Sequence, residues 1–137
     1  MAQQTLDQTG NEPLAVALSK INSMFTEQYT NVSDPGGTKT AAATAGAATL
    51  SRYSGVITSE SITTAAGANY TLTLTNTVIA AADQVFASVS FGTNTQGTPE
   101  VSTITPAAGS VVIVIKNTHA TLAFNGTIKV AFLVIKN

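Results

Sequence analysis

The sequence predicts a mainly β protein in which an N-terminal amphipathic helix and a small-residue linker precede an antiparallel β-sandwich or jelly-roll-like module. Three observations support this fold class. Apolar residues repeat with helical spacing near the N-terminus, a run of small residues follows, and from residue 52 apolar residues alternate with Thr and Ser. We therefore divide the chain into an N-terminal anchoring helix with its linker, residues 1–50, and an antiparallel β module, residues 51–137.

The first predicted element is a helix over residues 13–29. It begins at Pro13, which suits the first helical turn because its missing N–H has no intrahelical partner there. Apolar residues recur at spacings of four, three and four, and so form one face of the helix: Leu14, Leu18, Ile21 and Phe25. A lone amphipathic helix of this length is marginally stable in water. Its apolar face therefore has to pack against the β module, copies of itself or another protein.

The second predicted element is a linker over residues 36–51. This segment consists almost entirely of Gly, Ala, Thr and Ser, which are too small to build a core. Such a composition is typical of flexible connections between folded parts. Small side chains are also what an extended arm needs if it is pressed between subunits.

The β module is predicted from period-two alternation and from short apolar runs. Four segments have these features clearly, and two have them weakly; the clear ones are residues 70–75, 85–91, 111–115 and 128–135, and the weak ones are residues 55–62 and 100–104. Turn-forming residues separate them, as expected of an antiparallel sandwich or jelly-roll-like barrel. The last strand is apolar on both faces. Either it is central in its sheet, or a partner covers its outer face.

The composition argues against nucleic-acid and membrane partners. The net charge is -1 and the six Lys and Arg residues are scattered, whereas a phosphate-binding surface needs clustered cations. Apolar runs such as residues 111–115 are too short to cross a bilayer, and no N-terminal segment resembles a signal peptide. The chain has no cysteine, which excludes disulfides and Cys-based metal sites. We expect a protein made in the cytosol that stays there or leaves with something assembled there.

The sequence contains no recognisable catalytic or cofactor-binding pattern. His119 is the only histidine, and its position between two strands is typical of a solvated turn residue. Glu60 and Glu100 could meet as the two carboxylates of a glycosidase, but acids at strand edges usually serve solubility. Tyr70 is in register with apolar positions, so we assign it to the core. We expect no enzymatic activity, no cofactor and no metal.

One segment resembles a known family. Residues 14–29 have the form L-x-x-A-x-x-K-I-N-x-x-F-x-E-x-Y, which is similar to a helix that opens structural proteins of bacteriophage heads, tails and fibres. In that family the helix is often followed by β-rich repeats or trimeric modules. The family's usual Asn-Asp-Gly-Thr-Gly-Asp lead-in is represented here only by residues 8–12, Gln-Thr-Gly-Asn-Glu.

The resemblance implies a virion component that assembles in the host cytoplasm and attaches through its N-terminus, as a homotrimer. A capsid decoration protein of the cement or head-fibre type fits best, with the major capsid protein or another virion protein as its partner. The expected partner or oligomer contacts are Leu14, Leu18, Ile21, Phe25 and Tyr29. The alternative is a tail or tail-fibre component whose β module binds a host glycan.

Overall fold

The computed structural model describes residues 15–23 and 38–137. The chain divides into two compact units, Met1–Gly36 and Gly37–Asn137. The described part of the first unit is a helix, α1, over residues 15–23. This helix lies inside the predicted range of residues 13–29, and both ends of that range fall outside the described residues.

The second unit is a sandwich of two four-stranded sheets. Its described residues form eight strands: β1 Thr40–Ala42, β2 Ala47–Thr49, β3 Ser54–Thr58, β4 Asn69–Thr75, β5 Gln84–Phe91, β6 Pro99–Ala107, β7 Ser110–Asn117 and β8 Ile128–Ile135. Sheet A has the strand order β1-β3-β8-β5, and sheet B has the order β2-β4-β7-β6. The predicted fold class, mainly β with an N-terminal helix and a sandwich, is confirmed.

All six predicted strands correspond to observed ones, β3 to β8. The predicted segment 128–135 has the bounds of β8, and the other clear segments are extended by one or a few residues. The two weak segments differ more. β3 ends at Thr58, because beyond it only Ile62 keeps a bridge, to Gly126, whereas β6 runs on to Ala107 beside β7.

The first two strands correct the predicted domain boundary. β1 pairs in parallel with β3, and β2 pairs in parallel with β4, so the module is not wholly antiparallel. Ala43, Ala48 and Leu50 are buried in the core. Residues 38–50 therefore belong to the sandwich rather than to a linker, and the second unit begins at Gly37 rather than at residue 51.

The core lies between the two sheets and is built from alternating positions of the long strands. Sheet B contributes apolar residues from β4 and β7, and sheet A contributes them from β3, β5 and β8; the most deeply buried are Ile57, Leu72, Leu74, Val111, Ile113, Ile115, Ile128 and Val130. Phe124, from the connection between β7 and β8, is buried with them. Removal of these apolar side chains from water is the main favourable term in folding.

The strand directions determine which connections share an end of the sandwich. Odd-numbered strands run one way and even-numbered strands run the other. Four connections therefore meet at what we call the far end: residues 43–46, 59–68, 92–98 and 118–127. The near end holds the start of β1, the end of β8 and the connections 50–53, 76–83 and 108–109.

Candidate functional site

The structure describes two of the five predicted contact residues. On α1, Leu18 is 53% exposed and Ile21 is half-buried. Leu14, Phe25 and Tyr29 lie outside the described residues. An exposed leucine on the apolar face of a helix is available to a partner, so the assignment of these residues as contacts stays a prediction.

The outer face of sheet A carries an exposed apolar patch. We define this face by the residues of β3, β5 and β8 that point away from the core: Ser54, Val56, Thr58, Gln84, Phe86, Ser88, Ser90, Lys129, Ala131, Leu133 and Ile135. Phe86 is 58% exposed, Leu133 46% and Ile135 48%. β8 is thus internal in its sheet, which is the first of the two alternatives left open by its sequence. Its solvent side is apolar as well, and coverage of that side by a partner stays a prediction.

The surface of the patch has relief, with a ridge of large side chains beside a groove. Phe86 and Leu133 are cross-strand partners and form a ridge, whereas the next outward pair, Ser88 and Ala131, has small side chains. Beside the ridge lies a shallow groove of about 250 Å³, lined by Phe86, Ala87, Ser88, Ala131, Phe132 and Leu133. A protruding apolar side chain could enter this groove.

The outer face of sheet B is different in character. Its exposed positions are mainly threonines, which flank the half-buried Val112 and Val114 of β7: Thr49, Thr71, Thr73, Thr75, Thr103 and Thr105. A face of this kind is solvated through its hydroxyl groups, as is usual for an antiparallel sheet with one side in water. It provides an internal reference for the apolar face of sheet A.

The far end is held together by a buried polar cluster. Asn94 accepts a hydrogen bond from the Asn125 backbone N–H at 2.7 Å and donates one to the Gln96 carbonyl at 2.6 Å. The Asn117 side chain is fully buried and bonds to several loops. Among the described residues, no buried side-chain nitrogen or oxygen lacks a hydrogen-bond partner. These polar groups are used for structure.

His119 has a structural role in its turn. Its Nδ1 accepts hydrogen bonds from the backbone N–H groups of Thr121, at 3.1 Å, and Leu122, at 2.9 Å. These two bonds use the Nδ1 lone pair to hold the turn. The prediction of a turn histidine agrees with this geometry.

The structure does not bring Glu60 and Glu100 together. Glu60 accepts hydrogen bonds from the Gly46 backbone N–H at 2.9 Å and from the Tyr70 hydroxyl at 3.1 Å. Glu100 lies on the outer face of sheet B, in register with Lys116. Burial, and then the Glu60 carboxylate, raise the pKa of Tyr70, so that its hydroxyl stays protonated and donates. Tyr70 is in the core as predicted.

The buried carboxylate at the near end is also structural. Asp83 accepts hydrogen bonds from Lys136 Nζ and from the backbone N–H groups of Ala80 and Asn137. The hydrogen bond from Lys136, followed by that from Ala80, lowers the pKa of Asp83. The ion pair joins the connection between β4 and β5 to the end of the chain.

No protein-family model, curated protein or solved structure matches this chain.

Two further features, metal-ligand groups and membrane-spanning helices, are absent from the part of the chain that the structure describes. No group of three His, Cys, Asp or Glu side chains there could hold a metal ion, and no helix there has the length and apolar character to span a bilayer. What the described residues do offer is exposed apolar surface on α1 and on sheet A. The sequence predicts the surface on α1 residue by residue. For the surface on sheet A, the signal in the sequence is the last strand, whose two faces are both apolar.

Proposed function

We propose that this protein is a non-enzymatic structural component of a phage virion, specifically a capsid decoration protein of the cement or head-fibre type. The observation that carries the proposal is α1: its sequence falls within the virion-type motif of residues 14–29, and its apolar Leu18 is 53% exposed. An exposed leucine of this kind gains stability when a partner removes it from water. The partner is the major capsid protein or another virion protein.

The β module supports this proposal by its chemistry. In the described residues, His119, Glu60 and Asp83 are each engaged in hydrogen bonds that hold loops or chain segments in place. A sandwich whose ionisable groups serve structure is suited to act as a spacer or a projecting module. In this proposal it projects from the virion as part of a homotrimer, after assembly in the host cytoplasm, and needs no cofactor.

Attachment through the helix can be tested by placing charges on its apolar face. Replacing both Leu18 and Phe25 with Asp should remove the protein from purified particles, because a capsid pocket that accepts apolar side chains rejects unpaired carboxylates. The β module should keep its fold, since it is a separate compact unit. Mass spectrometry of purified particles measures occupancy, and circular dichroism of the free protein reports the sandwich.

The matched control is the replacement of Ser19 and Ser23 with Asp. It adds the same two charges to the helix at positions that lie outside the apolar face, so it should leave occupancy near the wild-type level. Equal occupancy of both variants would rule out attachment through Leu18 and Phe25.

A tail or tail-fibre component that binds a host glycan is the second candidate. The observation in its favour is the exposed Phe86, because sugars stack on exposed aromatic rings. Its neighbours on the outer face include Leu133 and Ala131, which offer no hydrogen bonds to sugar hydroxyls. Binding of the full chain to a glycan array, lost on Phe86→Ser, would favour this candidate over decoration.

A further inference from the structure

We propose that the outer face of sheet A is the surface through which one copy of the chain binds a second copy. This inference goes beyond virion attachment, because it concerns the sandwich alone and does not depend on what α1 binds. It rests on four properties of the face: its apolar centre, its charge, its relief and its size.

The apolar centre lies where a solvated sheet has polar residues. Phe86, Leu133 and Ile135 occupy neighbouring outward positions of β5 and β8 and are each about half exposed. The corresponding face of sheet B has threonines around its central strand. The same chain thus covers one sheet with hydroxyl groups and places a cluster of large apolar side chains on the other. Contiguous exposed apolar residues with a polar rim are typical of protein interaction sites.

The charge of the face suits an identical partner. Lys129, close to the far end, is the one charged residue of the face as defined above, and its rim consists of Ser, Thr and Gln side chains. A partner with a strongly acidic or basic surface would find little to pair with. Two copies of the face meet without opposed like charges at their centres. The cores of interfaces between identical chains are apolar and depleted in charge, as this face is.

The relief of the face is self-complementary. The Phe86–Leu133 ridge and the Ser88–Ala131 pair are consecutive outward rows, which lie about 7 Å apart along the strands. Consider a twofold axis in the plane of the interface, perpendicular to the strands and between the two rows. Rotation about it places each ridge over the small residues of the other copy. Phe86 of each copy then enters the groove beside the ridge of the other copy, so that both grooves are filled.

The size of the face is that of a small interface. Its three strands have five, eight and eight residues, which at about 3.3 Å per residue and about 4.8 Å per strand cover roughly 330 Å² in plan. The accessible surface over the projecting side chains is larger than this plan area. Small specific interfaces need about 600 Å² from each partner, so we expect a weak self-association. This twofold contact is separate from the homotrimer of the proposed function, whose expected contacts lie within residues 14–29.

The first test uses introduced thiols, because the chain has no cysteine of its own. Ser88→Cys places one thiol on the proposed interface, and Thr73→Cys places one on the outer face of sheet B. In the proposed packing the ridge of the other copy covers position 88, so the Ser88→Cys thiol should react with a maleimide more slowly as the protein concentration is raised. The Thr73→Cys thiol should react at a rate that does not depend on concentration. A rate independent of concentration for both variants would overturn the proposal.

The second test measures self-association of the full chain by analytical ultracentrifugation. Leu133→Lys should weaken it at least about 30-fold, the loss typical of a central interface residue, whereas Thr73→Lys should leave it unchanged. Both sites are exposed, so both variants should fold. A wild-type chain that stays single up to about 100 µM would overturn the inference. So would an association that survives Leu133→Lys but is lost on Leu18→Asp, because α1 would then carry it.

Discussion

Replacement of Asn117 with Ala should be among the most destabilising single changes at the far end of the sandwich. Asn117 ends β7 with no exposed surface. Its Oδ1 accepts hydrogen bonds from the backbone N–H groups of Thr98, at 3.0 Å, and His119, at 3.2 Å. Its Nδ2 donates to the carbonyl oxygens of Leu122, at 2.8 Å, and Thr64, at 3.1 Å. One side chain therefore satisfies backbone groups of three connections.

The expected loss follows from these four hydrogen bonds. Each contributes about 1 kcal/mol net, and each backbone group left unpaired in a buried site costs a similar amount or more. We expect Asn117→Ala to lower the free energy of unfolding by about 4 kcal/mol, with water that enters the vacated space reducing the loss. That is a large share of the 5–15 kcal/mol typical of a folded domain.

The assay is urea denaturation followed by circular dichroism. For a urea dependence of about 2 kcal/mol per molar, the midpoint should fall by about 2 M. Asn69→Ala, at an exposed position at the start of β4, is the matched control and should change stability by less than about 0.5 kcal/mol. Asn117→Asp keeps the shape but turns a carboxylate oxygen toward the carbonyls of Thr64 and Leu122, so it should be no more stable than Asn117→Ala. A loss below about 1 kcal/mol in Asn117→Ala would refute the assignment of this cluster as the main tie between the far-end loops.

Two further changes test the turns and the near end. Gly46→Ala should lower the free energy of unfolding, measured by thermal unfolding, by several kcal/mol more than Gly67→Ala. Both glycines have positive φ, 74° and 76°. A Cβ on Gly46 would lie 2.5 Å from the carbonyl oxygen of Thr71, whereas a Cβ on Gly67 would have nothing within 4 Å. Equal losses would show that the turn between β1 and β2 can move away from β4. The hydrogen bond from Lys136 lowers the pKa of Asp83. The ionised carboxylate therefore stabilises the fold at pH values above 3.8, the ordinary pKa of the group, and this stability is lost as the pH falls through the lowered pKa. Asp83→Asn should therefore lower the urea midpoint at pH 7 and flatten its decline in acid, and a decline as steep as that of the wild type would contradict this role.

The strands that could be predicted are those in which apolar and polar side chains follow the pattern of burial. In β4, Leu72 and Leu74 alternate with threonines because one face is buried and the other is solvated. In β7, the continuous apolar run arises because Val112 and Val114 are half-buried on the outer side as well. These patterns arise from burial, so sequence periodicity recovers them.

β1 and β2 could not be predicted in this way. Their residues are alanines and threonines, whose small side chains give almost no contrast between buried and exposed positions. What makes them strands is the availability of the edges of β3 and β4, with which they pair in parallel. That information is tertiary. The tight approach of Gly46 to β4 explains why small residues are needed there.

The apolar face of α1 could be predicted from the sequence and the patch on sheet A could not, for a related reason. The apolar face of α1 follows from spacing alone, since helical periodicity is a local property. The patch on sheet A requires the register of β5 against β8, which places Phe86 opposite Leu133. In the sequence these two residues are far apart, and each alternates within its own strand like a core residue. The pairing shows that they share a face, and their exposure shows that it is the outer one.

The positions of the chain ends in the sandwich decide where foreign sequence can be added. The first strand starts, and the last strand finishes, at the near end. A reporter fused after Asn137 would therefore sit beside the point where the chain enters the sandwich. A peptide spliced into the connection between β7 and β8, residues 118–127, would be carried at the opposite pole. That loop is therefore the place from which to display an epitope away from the point where the chain enters the sandwich.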